Sequence, residues 1–194
     1  MTDAVVATRT QIAIGSLVVD GFMLPDGSYR MSLSQVAESV GLAPRNAFDF
    51  LRSKAIKGLL GEGYTDSVSS VEIESSDQSR GQSRISALPL EVVTAYWVWQ
   101  TFRGNKKAIA LVMALATETL ERRFDAAFGV ELPESQRNER LASRIDRLSQ
   151  DLERLGEAYA VEDDIRRERD YFAQLLREQG IDPYELPPDT PNRR

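Results

Sequence analysis

The chain has 194 residues, 42% of them hydrophobic, and sets 24 Lys and Arg against 30 Asp and Glu for a net charge of −6. Cysteine and histidine are both absent, which excludes disulfides, thiolate nucleophiles, catalytic imidazoles and the common zinc ligands. No apolar run approaches the roughly 20 residues that span a bilayer, and the first residues lack a signal-peptide pattern, so a cytoplasmic chain with no membrane partner is expected.

In chain order, residues 12–24, IAIGSLVVDGFML, are β-branched and apolar and end at the turn Pro25-Asp26-Gly27, with a short partner strand returning to Met31. Ser32-Leu-Ser-Gln35 has the spacing of a capping box, in which hydroxyl and amide each satisfy an N–H of the first helical turn. A short helix follows, with Leu33, Val36, Ala37 and Val40 inside and Gly41 as the left-handed stop. Pro44 opens a second helix over 45–60, with Phe48, Leu51 and Ala55 inward and Arg45, Asn46, Asp49, Arg52 and Lys54 outward. The small Ala37, the Gly41 turn and the apolar cluster beyond give the spacing of a helix-turn-helix unit.

Residues 68–74 and 82–88 alternate as a second hairpin, whose tip and return strand carry Arg80 and Arg84 among Ser and Gln. That suits a wing along a phosphate backbone, or else an ordinary solvated loop. Two helices complete the head. One, over 89–102, has Val92, Val93, Tyr96, Trp97 and Trp99 as its apolar stripe; the other runs from Lys106 to Phe128 behind the cap Asn105, with Ile109, Val112, Met113, Ala116, Leu120 and Phe124 as its stripe and Gly129 as its stop. Lys106 and Lys107 oppose the dipole at that helix start, a cost an anionic partner would offset.

The tail begins after a short linker around Pro133. Leu141, Ile145, Leu148, Leu152 and Leu155 recur at spacings of 4, 3, 4 and 3, the pattern of a coiled-coil seam. A homodimer is expected from it, and a helix docked on the head is the alternative. Ile165, Tyr171, Phe172, Leu175 and Leu176 mark a last helix ending near Gly180, before a Pro-rich polar terminus expected to be disordered. The resulting fold class is α+β, mainly helical: a small winged-helix-like head with two short β-hairpins over 1–130, a helical coiled coil over 131–182 and a tail over 183–194. Acidity is concentrated beyond the head, which holds 13 Lys and Arg against 14 Asp and Glu, whereas 131–194 hold 11 against 16.

The order DGFMLPDGSYRMSLSQVAESVGLAPRNAFDFLRSK, then a hairpin, then SRISALPLEVVTAYWVWQ and a long helix, resembles the KilA-N and Bro-N domains of phage antirepressors and related viral DNA-binding proteins. Asp20-Gly21 matches the family's DG strand turn, Phe50-Leu-Arg-Ser-Lys54 its W/F-LR-x-K segment, and Trp97 and Trp99 its later apolar helix. The likeness covers about residues 10–128, and the family's Gly-rich basic hairpin is thin in this chain. It implies a homodimeric transcriptional regulator of double-stranded DNA, with Arg45, Asn46 and Arg52 at base edges or phosphates and Lys54, Lys57, Arg80 and Arg84 at phosphates. No Gly-rich phosphate loop or GxSxG elbow occurs, so no catalytic residue, cofactor or metal is expected. Two alternatives stand beside this reading. One is a scaffold acting on another regulatory protein without touching DNA. The other is a metal-dependent nuclease drawing on Asp20, Asp26, Glu72 and Glu74.

Overall fold

A computed structural model describes residues 5–61, 64, 69–73 and 84–183, without the side chains of 5, 6, 69–73, 84 and 158–164. The fold is α+β and mainly helical. Its elements are β1 (Val5–Ile14), β2 (Leu17–Met23), β3 (Tyr29–Ser32), α1 (Leu33–Glu38), α2 (Pro44–Leu51), α3 (Lys54–Leu60), β4 (Ser69–Ile73), β5 (Arg84–Pro89), α4 (Leu90–Phe102), α5 (Lys106–Phe128) and α6 (Glu134–Glu178). The strands close into a barrel in the order β1-β2-β3-β5-β4. All neighbours are antiparallel except β1 and β4, which run parallel with Val5 opposite Val71.

Three strand expectations are corrected. The apolar run 12–24 is not one strand, because the chain reverses at Gly15-Ser16 and Ile14 pairs with Leu17. Gly15 has φ +62°, which a hairpin turn of two residues requires and which a β-carbon would oppose. Asp20-Gly21 is not a turn either: Gly21 lies within β2, opposite Thr10 and Met31. The second hairpin exists as β4 and β5, but it is built into the barrel through β3 and β1 rather than standing apart. Its tip, with Arg80, lies outside the described residues.

Alternation along β2 sends side chains to two sides. Val19, with Met31 of β3, joins the main core, which takes Leu33, Val36 and Val40 from the α1 segment, Phe50 from α2, Ile56 from α3, Val92, Val93, Tyr96 and Trp97 from α4, and Leu111 from α5. Phe22 turns the other way into a smaller cluster with Ala7, Leu24 and Ala87.

Contacts divide the chain into two compact units, 1–150 and 151–194, so the first extends past the boundary expected at 130. The reason is the start of α6. Asn138 accepts the Gly15 N–H through Oδ1 at 2.7 Å and donates Nδ2 to the Gly15 carbonyl at 2.9 Å. Arg137 and Arg144 form ion pairs with Asp125 and Glu121 of α5, and Arg122 reaches Glu134. The last helix expected from Ile165 onward is not a separate element, since α6 is continuous to Glu178. The terminus beyond Pro183 lies outside the described residues.

Candidate nucleic-acid interface

The helix pair α1 and α2 is held from behind by α4. A short helix leaves its last carbonyls unpaired. Two are taken by the turn itself, where Gly41 N–H reaches Glu38 O at 2.9 Å and Leu42 N–H reaches Ala37 O at 3.0 Å. That paired closure needs a left-handed residue, and Gly41 supplies it at φ +74°. The buried Trp97 takes a third by donating its indole N–H to Val36 O at 3.1 Å and to Ser39 Oγ at 3.0 Å. The start of α1 is not the expected capping box. Ser32 makes no side-chain cap, and Gln35 instead accepts the Asp20 N–H at 2.8 Å and donates to the Asp20 carboxylate at 3.2 Å, tying α1 to β2.

The expected helix over 45–60 is two helices. Ser53 interrupts it, bonding Phe50 O through its hydroxyl and capping α3 at Ala55 N–H. The break also changes which face is inward. Ala47 and Phe50 are buried, whereas Phe48 is 42% exposed. The Phe50 ring meets Tyr96 edge-on at 5.5 Å and Trp99 at 5.1 Å. Burial raises the Tyr96 phenol above its ordinary range.

This packing decides where the expected contact residues go. Arg45 and Arg52, two helical turns apart, both face solvent with Phe48 and Asp49 between them, and Asn46 is half-buried. The Arg45 side chain is 89% exposed, its nearest carboxylate Asp49 at 3.9 Å, so the guanidinium is available to a ligand. Lys54 and Lys57 are exposed on α3, on a different helix from Arg45. Arg84 stands on β5 opposite Glu72 of β4.

Arg103 carried no role in the sequence reading, and Lys106 and Lys107 only a helix-start cost that an anionic partner would offset. The α4–α5 turn lies against the α1–α2 turn, where Asn105 donates Nδ2 to Val40 O at 3.0 Å while its Oδ1 caps Ala108. Arg103 sits 4.9 Å over the Trp99 ring. The adjacent Lys106-Lys107 pair is visible in the sequence; which turn it meets is set only by the fold.

The seam residues of the tail are spent unevenly. Leu141 is 3% exposed and Ile145 packs on the main core, both within the first unit. Leu148 and Leu152 are half-buried and Leu155 is 52% exposed. The stripe expected to bury α5 is likewise turned round. Ala108, Ala110, Leu111 and Ala114 are inside, while Met113, Leu120, Phe124 and Phe128 are exposed, the last two stacked at 6.5 Å. Glu118, Glu121 and Asp125, by contrast, are all engaged, by Arg122, Arg144 and Arg137.

Other candidate chemistry is thin. Asp20 is bonded to Arg9 at 2.9 Å and to Gln35, and Asp26 accepts from Ser28 in its turn, which holds its carboxyl below the usual range. Glu74 and the Glu72 side chain lie outside the described residues. Among the described residues no group of three or more Asp or Glu is placed to hold a metal ion, and no helix is long and apolar enough to cross a membrane. A groove of about 470 Å³ on the β1–β3 face is lined by Ile12, Val19, Met23, Tyr29 and Leu90 among others. Its lining is mostly apolar, with Thr8, Thr10, Tyr29 and Arg30 as the residues that carry polar groups, and it contains no carboxylate among the described residues. Compared with known proteins, the chain matches no family model, no curated protein and no solved structure.

Proposed function

We propose that the protein is a DNA-binding transcriptional regulator of the antirepressor kind, with a winged-helix-like head of KilA-N or Bro-N character. In this reading it is a homodimer that presents α2 to a duplex groove. The observation that carries it is the mounting of α2. Phe50 and Ala47 anchor its inner face in the core, α4 fixes the preceding helix through the Trp97 indole, and Arg45 and Arg52 are left facing outward on the same side. A planar guanidinium can pair bidentately with guanine, and the Asn46 amide with adenine. Lys54, Lys57, Arg80 and Arg84 serve the sugar-phosphate backbone, and Leu148, Leu152 and Leu155 serve as the coiled-coil seam.

The test begins with selection of bound duplexes from a random pool. Arg45→Ala with Arg52→Ala should then lower affinity for the selected sequence by ~1 to 3 kcal/mol per base contact. Unchanged affinity would remove α2 from the interface.

A second reading, a scaffold that acts on another regulator, is favoured by the exposed apolar face of α5. Salt separates the two. Phosphate contacts make binding fall steeply as salt rises, and an apolar interface responds little.

A further inference from the structure

We propose that the α4–α5 turn is a second DNA-contacting element, with Arg103, Lys106 and Lys107 gripping backbone phosphates beside α2. The proposal rests on the DNA-binding reading above and deepens it. Position is the first argument. The Asn105 bond to Val40 fixes this turn at the bend between α1 and α2. The Lys107 chain lies over Gly41, with Cδ 3.1 Å and Nζ 3.2 Å from where a β-carbon would stand. Its ammonium is thereby held at the Gly41 turn that precedes α2. Arg103 is set by the ring of Trp99, which also packs against Phe50 of α2.

Charge is the second argument. The chain as a whole is acidic, yet the segments 38–52 and 103–107 that meet at this bend hold Arg45, Arg52, Arg103, Lys106 and Lys107 against Glu38 and Asp49. Among the described residues no carboxylate pairs with Arg103, Lys106 or Lys107. Lys107 is suited by the carbonyl end of α1 beneath it. Lys106 has no such compensation at the positive pole of a 23-residue helix, and a phosphate would relieve both the pole and the side chain. Three cations held on a rigid turn form a positive surface for a regular row of anions, and backbone contacts of that kind orient a reader without choosing its sequence.

The experiment uses the full chain and a fluorescein-labelled mixed-sequence DNA duplex, with anisotropy followed over a salt series. Each of Arg103→Gln, Lys106→Gln and Lys107→Gln should flatten the log–log salt slope by about 0.9, and the three together by about 2.7. The combined variant should bind of order 100-fold more weakly near 0.1 M salt, with its melting temperature unchanged. If the wild type binds duplex with a steep slope and the combined variant keeps both slope and affinity, the turn is not a DNA contact, although the role of α2 stands. Wild-type protein that binds no duplex in a salt-dependent way overturns both. Tighter binding of single-stranded RNA than of duplex also overturns the proposal, by giving the surface to a different nucleic acid.

Discussion

Asn138→Ala tests what holds the start of α6 to the head. The wild-type carboxamide brackets one residue, accepting the Gly15 N–H at 2.7 Å and donating to the Gly15 carbonyl at 2.9 Å. Both groups are partly shielded from water, and a net hydrogen bond of this kind contributes about 1 kcal/mol, so truncation should cost about 2 kcal/mol. For a folded unit of this size that lowers the melting temperature by about 4 to 8 °C. Far-UV circular dichroism would record the melt, and hydrogen exchange should show faster opening over residues 134–150. Asn138→Asp keeps the acceptor but sets a carboxylate against the Gly15 carbonyl, so half of the loss or more should remain. Gly15→Ala attacks the same joint, since its β-carbon would stand 2.9 Å from Ile145 Cδ1 and 3.1 Å from Ala142 Cα at a left-handed backbone position. Combined with Asn138→Ala its effect should be less than additive, because the two changes share one contact. A loss for Asn138→Ala below about 0.5 kcal/mol, the level of an ordinary surface change, would show that the carboxamide bonds do not seat the helix.

In urea unfolding, Phe50→Ala should cost about 3 to 5 kcal/mol while Phe48→Ala stays within about 1 kcal/mol; the reverse order would restore the inward face first expected for α2. Leu148→Asp with Leu152→Asp should turn a dimer into a monomer in sedimentation, and an unchanged mass refutes the seam. Leu141→Asp should instead unfold the head, because it puts a charge at a site that is 3% exposed. Tyr96 should be more than half protonated at pH 10, its ordinary midpoint. A raised folded value means that stability is complete below pH 10 and drains away as the pH rises through the folded midpoint. Alkaline unfolding should therefore be delayed in Tyr96→Phe, and phenolate absorbance from all tyrosines at pH 10 would contradict this.

The helices that carry clear punctuation were legible in the sequence. Asn105 and Gly129 bound α5 where their chemistry places them, and Gly41 closes α1 with the expected sign of φ. Faces were harder, because periodicity shows that a stripe exists but not which neighbour covers it. In α5 the small residues Ala108, Ala110 and Ala114 are inside with Leu111, and the bulkier Met113, Leu120 and Phe124 are left outside. In α2 a single Ser53 cap resets the phase, an event that Ser in an apolar run does not announce by itself. The hairpin at Gly15-Ser16 was hidden by apolar residues on both sides. Closure of the strands into a barrel depends on pairing between segments far apart in sequence, which local pattern does not encode. Of the candidate site, the outward arginines of α2 could be read from the sequence; the neighbouring α4–α5 turn could not, since only the Asn105 bond to Val40 brings it there.

The two tryptophans of the chain occupy complementary posts. The indole N–H of Trp97 reaches the end of α1, while the ring of Trp99 meets both Phe50 of α2 and the guanidinium of Arg103. Any ligand that tilts the helix pair or draws Arg103 away must alter the surroundings of one indole or both. The molecule thus contains its own optical gauge, and a shift in emission on adding a duplex would follow occupancy without a dye.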